Sequence, residues 1–294
     1  MRPARVLAAL VLLVGACARP GAAAEVQDML GRRLTVPERP RRVVSLAPSL
    51  TETVYAVGAG DRLVGVTQYC DFPPEAASKP KVGGIYNPNL EAILSLEPDL
   101  VLATTEGNRE EHIRELERLR LPVYVVRPVD FASVLESIER VGRLVGRATE
   151  TERLVAGLRR DAEGIERRLR GLRRPRVLYV VWGSPLVVPG RDTLITDLIR
   201  RAGGESVSGE APLAYPRLSL EEALVRRAER VVLARQGQES VEERLREWPE
   251  LGLLPAVRQG RIQSIDGDLM HRPGPRVLDG LRALARLLHP EVAW

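Results

Sequence analysis

The chain has 294 residues, of which 44% are hydrophobic and 28% are charged, a composition typical of a soluble globular protein with one large domain or two ordinary ones. Its net charge is +5, and all but two of its 44 basic residues are arginines, which are interspersed with glutamates. Because no basic stripe with interleaved aromatic residues occurs, the sequence does not predict nucleic-acid binding.

The first residues have the three-part layout of a secretory signal peptide. A basic start, MRPAR, is followed by an apolar segment over 6–14 that is too short to span a bilayer, and then by small residues. Two alternative processing sites are compatible with this layout. A lipobox-like sequence ends at Cys17, which limits the signal to residues 1–16, and an A-x-A site ends at Ala24, which extends it to 1–24. Either site predicts a periplasmic protein, soluble or anchored by a lipid on Cys17.

The chain has two cysteines, and Cys70 has no intrachain partner once Cys17 is lipidated or removed. The fold therefore cannot depend on an intrachain disulfide, and a thiolate metal cluster is excluded. We interpret Cys70 as a small packing residue rather than a reactive thiol.

The mature chain starts with a predicted hairpin over 26–40, and a buried strand, RRVVSLAP, follows it. The next segment, SLTETVYAVGAG, predicts a helix whose N-terminus carries a capping box formed by Ser49 and Glu52. Gly58 and Gly60 come after this helix, so they indicate a helix C-terminus. A dinucleotide-binding loop needs its glycines between strand and helix, and the sequence therefore does not predict such a site here.

Strand and helix patterns alternate through the rest of the chain, and the second half repeats the order of the first. The strand PRVLYVVWG corresponds to RRVVSLAP, and RLSLEEALVRRAERVVLA corresponds to NPNLEAILSLEPDLVLA. Alternating strands and helices with short connections predict parallel sheets that are covered by helices. We therefore predict an α/β protein with two Rossmann-like lobes, 25–147 and 173–294, and a ligand cleft between them.

A long amphipathic helix is predicted over 148–172, between the two lobes. Apolar residues recur there at helical spacing, Thr149 and Glu152 form an expected capping box, and Pro175 closes the segment. A flexible linker would be rich in glycine or serine. The helix is therefore expected to act as a stiff connection that limits the hinge motion of the lobes.

The loops at the carboxyl ends of the predicted strands contain the first candidate ligand contacts, because ligands of open parallel sheets bind beyond those ends. Aromatic faces with a few polar groups suit a large, flat, partly apolar ligand. The candidates from these loops are Tyr69, Tyr86, Trp182, Tyr215 and His271.

Motifs for catalysis or metal binding are missing from the sequence. No histidine pair has metal-ligand spacing, no Ser-His-Asp arrangement is evident, and Gly183-Ser184 lacks the pattern of a nucleophile elbow. We therefore predict a binding protein with no catalytic residue and no metal ligand. A periplasmic hydrolase on the same two-lobed fold and a scaffold lipoprotein with an empty cleft are the alternatives.

Glu91 and Glu221 occupy matching positions, each at the start of a helix in its own half of the chain. A carboxylate in the first turn of a helix stabilises the helix dipole by about 0.3–1 kcal/mol. The same two side chains are also candidate docking contacts, one per lobe, for a partner with two-fold symmetry. The two interpretations are compatible.

Four segments together resemble the helical-backbone substrate-binding proteins of ABC importers. They are RVVSLAPSLTE, VGVTQYCDFPPEA, VGGIYNPNLEAILSLEPDLVLA and RPGPRVLDGLRALARLLHPE, and the resemblance covers nearly all of 38–294. It implies two α/β lobes that are joined by one long helix and close only slightly on a cobalamin, a ferric siderophore or a haem. It also implies a monomer that presents Glu91 and Glu221 to arginines of a permease dimer, which works with its ATPase.

Within this family, the chain resembles the cobalamin-binding members in particular. The tyrosine of QYCDFPP stands where those members have a corrinoid-contacting tyrosine, and Thr104 and Tyr215 stand where they have tryptophans. Asp268 stands where they have the aspartate of an Asp-Trp pair. Together with the loop candidates, the predicted ligand contacts are Tyr69, Ile85, Tyr86, Thr104, Trp182, Tyr215, Asp268, His271 and Arg272.

Two other ligands of this family are alternatives to a corrinoid. Haem binders of the family use a tyrosine in a VGY context, where this chain reads VGGIY. Ferric-siderophore binders use cleft arginines against an anionic chelate, and the candidates for that role are Arg109, Arg191, Arg217 and Arg272. The predicted ligand is thus cobalamin or a related corrinoid, bound as cargo rather than as a cofactor, with a ferric siderophore or haem as the alternative.

Overall fold

The computed structural model describes residues 23–237 and 239–294. Cys17, the predicted lipidation site, lies outside the described residues, as do residues 1–22 of the predicted signal peptide. Across the described ranges, no helix has both the length and the apolar character that crossing a membrane requires.

The predicted N-terminal hairpin is confirmed. Strand β1 (Ala23–Gln27) pairs antiparallel with β2 (Arg33–Pro37). The buried carboxylate of Asp28 closes the turn, since it accepts hydrogen bonds from the backbone N–H groups of Leu30 and Arg32. Because β1 starts at Ala23, cleavage after Ala24 would remove two residues from this strand.

A parallel four-stranded sheet forms the N-terminal lobe, with the strand order β4-β3-β5-β6. The strands are almost completely buried, as expected for a parallel sheet with helices on both faces. The elements in chain order are β3 (Val43–Ser45), α1 (Pro48–Ala56), β4 (Leu63–Val66), α2 (Leu90–Ser95), β5 (Leu100–Thr104), α3 (Glu110–Arg118), β6 (Val123–Val126) and α4 (Phe131–Leu144).

The capping box predicted for α1 is wrong. The helix starts at Pro48, which suits the first helical position because proline has no N–H to donate, and Ser49 therefore lies inside the helix. The side chain of Glu52 is directed away from the helix N-terminus and binds an arginine of the other lobe. The predicted C-terminal stop is confirmed, since Gly58 adopts a φ of +75° directly after the helix.

The long connecting helix, α5 (Ala148–Arg168), has 21 residues and is about 32 Å long. Its N-cap is Arg147, and no side chain caps it, so the capping box predicted for Thr149 and Glu152 is wrong because both residues lie inside the helix. Its apolar stripe is buried against helices of both lobes rather than exposed as in an isolated rod.

A second parallel four-stranded sheet forms the C-terminal lobe, with the strand order β10-β9-β7-β8. The elements in chain order are β7 (Arg176–Val180), α6 (Leu194–Arg201), β8 (Glu205–Ser206), α7 (Leu220–Val225), β9 (Arg230–Arg235), α8 (Val241–Glu247), α9 (Pro255–Arg258), β10 (Ile262–Asp266), α10 (Gly267–His271) and α11 (Val277–Leu288).

The two lobes share one topology. When the strands of each sheet are numbered from the first strand of their own lobe, both sheets have the order 2-1-3-4. The first helix of each lobe also stops in the same way, since Gly58 and Gly203 both adopt a φ of +75°. The structure therefore confirms the predicted α/β fold of two lobes with parallel sheets joined by one long helix.

Two polar contacts join the lobes in addition to α5. The carboxylate of Glu52 on α1 accepts hydrogen bonds at 2.6 and 2.8 Å from the guanidinium of Arg276, which precedes α11. The carboxylate of Asp197 on α6 accepts a hydrogen bond at 3.0 Å from the backbone N–H of Phe131, the first residue of α4. Each contact links the first helix of one lobe to the start of the last helix of the other.

Candidate functional site

A cavity of about 470 Å³ lies between the lobes, at the carboxyl ends of both sheets. A larger groove of about 630 Å³ is lined only by the N-terminal hairpin, Tyr124 and α4, so it lies within one lobe and away from these strand ends. Ligands of open α/β sheets bind beyond the carboxyl ends of the strands, and we therefore regard the cavity between the lobes as the candidate site.

The N-terminal wall of the cavity is largely aromatic and apolar. Tyr69, Ile85 and Tyr86 line it, and the two tyrosine side chains are 49% and 61% exposed. The side chain of Asn108 holds this wall in place, because its amide donates to the backbone oxygens of Leu46 and Ile85, both at 2.9 Å. The loop that carries Ile85 and Tyr86 is thus tied to the end of a core strand.

Thr104 does not reach the cavity. It is 1% exposed at the end of β5, and its hydroxyl accepts a hydrogen bond from the backbone N–H of Glu106. Glu106 itself lines the cavity, and the sequence analysis did not select it. The sequence signal for this position is its place in the segment TTEGN, directly after a buried strand.

The C-terminal wall differs from the predicted loop, because residues 267–271 form the short helix α10. The side chain of Asp266 caps this helix by accepting from the N–H of Asp268 at 2.9 Å. The helix brings Asp268, His271 and Arg272 together at the cavity.

His271 is a neutral group in this wall. Its ring faces the cleft on one edge, and its Nε2 atom lies 3.1 Å from the buried hydroxyl of Tyr179. Although the ring is open to cleft water, protein surrounds it on several sides, and this desolvation lowers the pKa of His271 to about 4. At neutral pH the imidazole therefore carries no charge.

Arg272 is fully engaged by carboxylates. Its guanidinium contacts Asp71 at 2.6 Å, Asp268 at 2.8 Å and Glu52 at 3.4 Å. Burial alone would lower the pKa of Arg272, but these three carboxylates raise it, so the guanidinium stays charged. An anionic ligand that approached Arg272 would therefore compete with carboxylates that are already bound.

The other arginines considered for an anionic chelate do not line the cavity. Arg109 pairs with Glu111 at 3.4 Å, and Arg191 lies 3.8 Å from Asp192, with all four side chains largely exposed. Arg217 is also exposed. The cavity therefore does not concentrate the arginines that a ferric siderophore would require.

Two predicted aromatic contacts, Trp182 and Tyr215, lie outside the cavity lining. Trp182 is 45% exposed and packs edge-to-face on Trp248, with 5.5 Å between the ring centres. Tyr215 is 43% exposed, and burial within the cleft raises the pKa of its phenol, with further contributions from the charges of Glu106 and Tyr86. The influence of these two residues indicates that Tyr215 faces the N-terminal lobe across the cleft.

Glu91 and Glu221 lie at equivalent places on the surfaces of the two lobes. Each is the second residue of a short helix, α2 or α7, that a polar side chain caps. Both glutamates are exposed, and neither forms an ion pair with another residue in the part of the chain that the structure describes. An exposed leucine, Leu94 or Leu224, lies three residues after each glutamate, on the same side of the helix.

The comparisons with known proteins agree with this architecture. The sequence profile of the family described as "Periplasmic binding protein" matches residues 43–269. A vitamin B12-binding protein from Vibrio parahaemolyticus is 27% identical over 249 residues, which cover 84% of this chain and 90% of that protein. An uncharacterised ABC transporter substrate-binding lipoprotein from Bacillus subtilis is 28% identical over 274 residues, covering 90% of this chain and 85% of its own length.

A solved structure has the same fold. The periplasmic heme-binding protein from Pseudomonas aeruginosa superposes with a TM-score of 0.76 at 29% identity, and the match covers 86% of this chain and 94% of that chain. The relatives named here are substrate-binding proteins rather than enzymes, in line with a binding function for the cleft.

Proposed function

The chain belongs to the periplasmic binding protein family, and from this premise we propose that it captures cobalamin or a related corrinoid and delivers it to an ABC permease. The relative that binds vitamin B12 supports this choice of ligand. The second support is the cavity itself, which combines exposed rings with few charged groups that are free to bind a ligand.

The observation that carries the proposal is the exposure of aromatic rings on both sides of the cleft. Tyr69 and Tyr86 are exposed in the part of the cavity lining that the N-terminal lobe forms, while Trp182 and Tyr215 are exposed in the C-terminal lobe outside that lining. Exposed rings that converge on one cleft can cover both faces of a flat macrocycle. Neutral His271 adds a polar contact without adding charge.

Capture then requires no covalent chemistry. The ligand enters the open cleft, the rings remove its apolar faces from water, and a small rotation of the lobes encloses it. The packing of α5 against helices of both lobes limits that rotation. The released ligand is therefore chemically identical to the ligand that was bound.

Haem is the second candidate, because a structural relative with 29% identity binds heme. A haem iron in such a cleft would need an axial ligand. The raised pKa of Tyr215 disfavours the phenolate form in which a tyrosine binds iron, which makes this residue a poorer iron ligand than an unperturbed tyrosine. Tyr69 and Tyr86 are the remaining phenols in the cavity wall.

Calorimetric titration of the purified mature protein with cyanocobalamin, haemin and a ferric siderophore tests the ligand, with Trp182 fluorescence as a second readout. We expect heat and a fluorescence change with cyanocobalamin.

Replacement of Tyr86 by alanine should weaken binding about ten-fold or more, because a ring that covers the ligand is lost. The matched control is Leu119→Ala, which removes an exposed apolar side chain outside the cavity. Binding of haemin alone, or of none of the three, would reject the corrinoid.

Delivery is proposed to use the two equivalent surface helices. Glu91 and Glu221 would meet basic groups on a permease dimer, and Leu94 and Leu224 would add one apolar contact per lobe. This arrangement suits a two-fold partner because each lobe offers the same acidic and apolar pair.

The delivery test is uptake of labelled cyanocobalamin by cells that depend on this protein. The double variant Glu91→Ala/Glu221→Ala should bind the ligand normally but lose uptake. The control variant is Glu111→Ala/Glu242→Ala, which also removes a first-turn glutamate from each lobe and so reproduces any effect on helix dipoles. Normal uptake by the first variant would reject the docking role.

A further inference from the structure

Glu106 is held rigidly at the cavity by the loop after β5. Its backbone N–H donates to the hydroxyl of Thr104 at 3.2 Å. The next residue, Gly107, has a φ of +115°, and a Cβ atom there would lie 2.6 Å from a methyl group of Ile85. The side chain of Asn108 then binds the N–H of Thr104 at 2.8 Å. The position of Glu106 is therefore fixed by its neighbours, whereas its carboxylate has no role in holding the loop.

The carboxylate of Glu106 is free to meet a ligand. Within residues 23–237 and 239–294, it forms no hydrogen bond or ion pair. Burial raises its pKa, and the charge of Arg127 opposes this effect only in part. A partly buried carboxylate that lacks a hydrogen-bond donor carries a free-energy cost in an empty cavity. A ligand group that donates a hydrogen bond to it would remove this cost.

The other ionisable side chains of the described lining are either paired with an opposite charge or neutral. Arg272 is the cationic side chain among the described lining residues, and it is bound by Asp71, Asp268 and Glu52. His271 is neutral at neutral pH. A ligand that enters the cavity therefore meets one unpaired carboxylate and no unpaired cation among the described lining residues, since Arg127, whose charge acts on Glu106, lies outside that lining.

We propose that Glu106 is a specificity-determining residue that accepts hydrogen bonds from peripheral amide groups of the ligand and excludes ligands with peripheral carboxylates. This inference rests on the proposed function, since it names the feature by which a corrinoid would be selected over haem. The corrin ring of cobalamin carries neutral carboxamides, whose N–H groups can donate to a carboxylate. Haem carries two propionates, which would face Glu106 as like charges and gain no hydrogen bond from it.

Two ligand pairs that differ only at peripheral carboxylates test this proposal at pH 8, which favours the ionised form of the Glu106 side chain. The first pair is cyanocobalamin and its derivative in which one peripheral amide has been hydrolysed to the acid. The second pair is haemin and haemin dimethyl ester. The wild-type protein should prefer the carboxylate-free member of any pair that it binds, by about ten-fold or more.

The isosteric variant Glu106→Gln keeps the volume of the side chain and removes its charge. We expect it to bind the carboxylate-containing ligands about ten-fold more tightly than the wild type does, and so to reduce or remove the preference. The control Glu115→Gln removes an exposed, unpaired glutamate of α3 and should leave the preference unchanged. Melting temperatures of the three proteins show whether each variant is folded.

The outcomes separate the two proposals. If neither corrinoid binds but the haemin pair shows the Glu106-dependent preference, the corrinoid function fails and the specificity role of Glu106 stands. If corrinoids bind and the preference is the same in the wild type and in Glu106→Gln, the function stands and the role of Glu106 is refuted. The role is also refuted if Glu115→Gln changes the preference equally, or if none of the four ligands binds.

Discussion

Glu52 and Asp197 are equivalent acidic residues that have acquired different partners. Each lies six residues before the glycine that ends the first helix of its lobe, and each reaches the start of the last helix of the other lobe. Glu52 binds the guanidinium of Arg276, whereas Asp197 binds the backbone N–H of Phe131. The duplicated fold thus contains two reciprocal contacts between the lobes, one ionic and one made to the backbone.

The surroundings of the two contacts also differ. The carboxylate of Glu52 lies 3.4 Å from the guanidinium of Arg272, which lines the cavity. The Glu52 contact between the lobes is therefore connected directly to the candidate ligand site. Asp197 binds Arg201, which in turn binds Glu166 of α5, so its contact is continuous with the connecting helix. We infer that the first contact can respond to a ligand, while the second keeps the lobes fixed on α5.

Removal of Glu52 should give the largest effect on stability. The Glu52→Ala variant leaves the largely buried guanidinium of Arg276 without its carboxylate, and breaking such a pair costs about 3–5 kcal/mol. Urea unfolding of the ligand-free protein measures this loss in the free energy of unfolding. Ligand affinity should change as well, because Arg272 also loses a partner.

A second variant separates the charge from the packing at this contact. The double variant Glu52→Leu/Arg276→Met replaces both charged groups by apolar ones, and such exchanges are often neutral for stability. We therefore expect it to recover most of the stability that Glu52→Ala loses. If Glu52→Ala costs less than about 1 kcal/mol, the Glu52 contact is no stronger than a surface ion pair, and the contrast with Asp197 is lost.

Removal of Asp197 should cost less and leave ligand binding unchanged. The Asp197→Ala variant leaves the N–H of Phe131 without an acceptor, which costs about 1–3 kcal/mol when the group is buried. Asp197→Asn retains an acceptor oxygen and should lie between the wild type and the alanine variant. Urea unfolding and calorimetric titration of both variants provide the two readouts, and a change in ligand affinity would contradict the separation of the two contacts.

The features that the sequence predicted are those set by local patterns. Buried strands alternate with helices, and the second half of the chain repeats the order of the first, so the lobes and their parallel sheets could be predicted without any knowledge of contacts. The cavity wall at Tyr69 and Tyr86 could be anticipated for the same reason, since the carboxyl ends of parallel strands share one edge.

The features that the sequence did not predict depend on distant residues. Ser49 and Glu52 have the spacing of a capping box, but the partner of Glu52 is 224 residues further along the chain. Thr104 and Glu106 are two residues apart in the chain, and only the folded structure determines which of them lines the cavity. Local spacing therefore identified these loops and helices correctly but assigned the wrong partner to Glu52.

The smallest expected effect on stability concerns Asp71, the exposed carboxylate that binds Arg272 beside the Glu52 contact. The hydrogen bond from Arg272 lowers the pKa of Asp71, so the contact stabilises the protein when the carboxylate is ionised. This stabilisation is present above the pKa of the unfolded chain and is lost as the pH falls through the lower pKa of the folded protein. At neutral pH, Asp71→Asn should therefore reduce the free energy of unfolding by no more than about 1 kcal/mol, because the side chain is largely exposed. Urea unfolding of the wild type and the variant at pH 7 and at pH 3 should show the difference shrinking in acid, whereas a difference that grows in acid would mean that Asp71 does not act through its charge on Arg272.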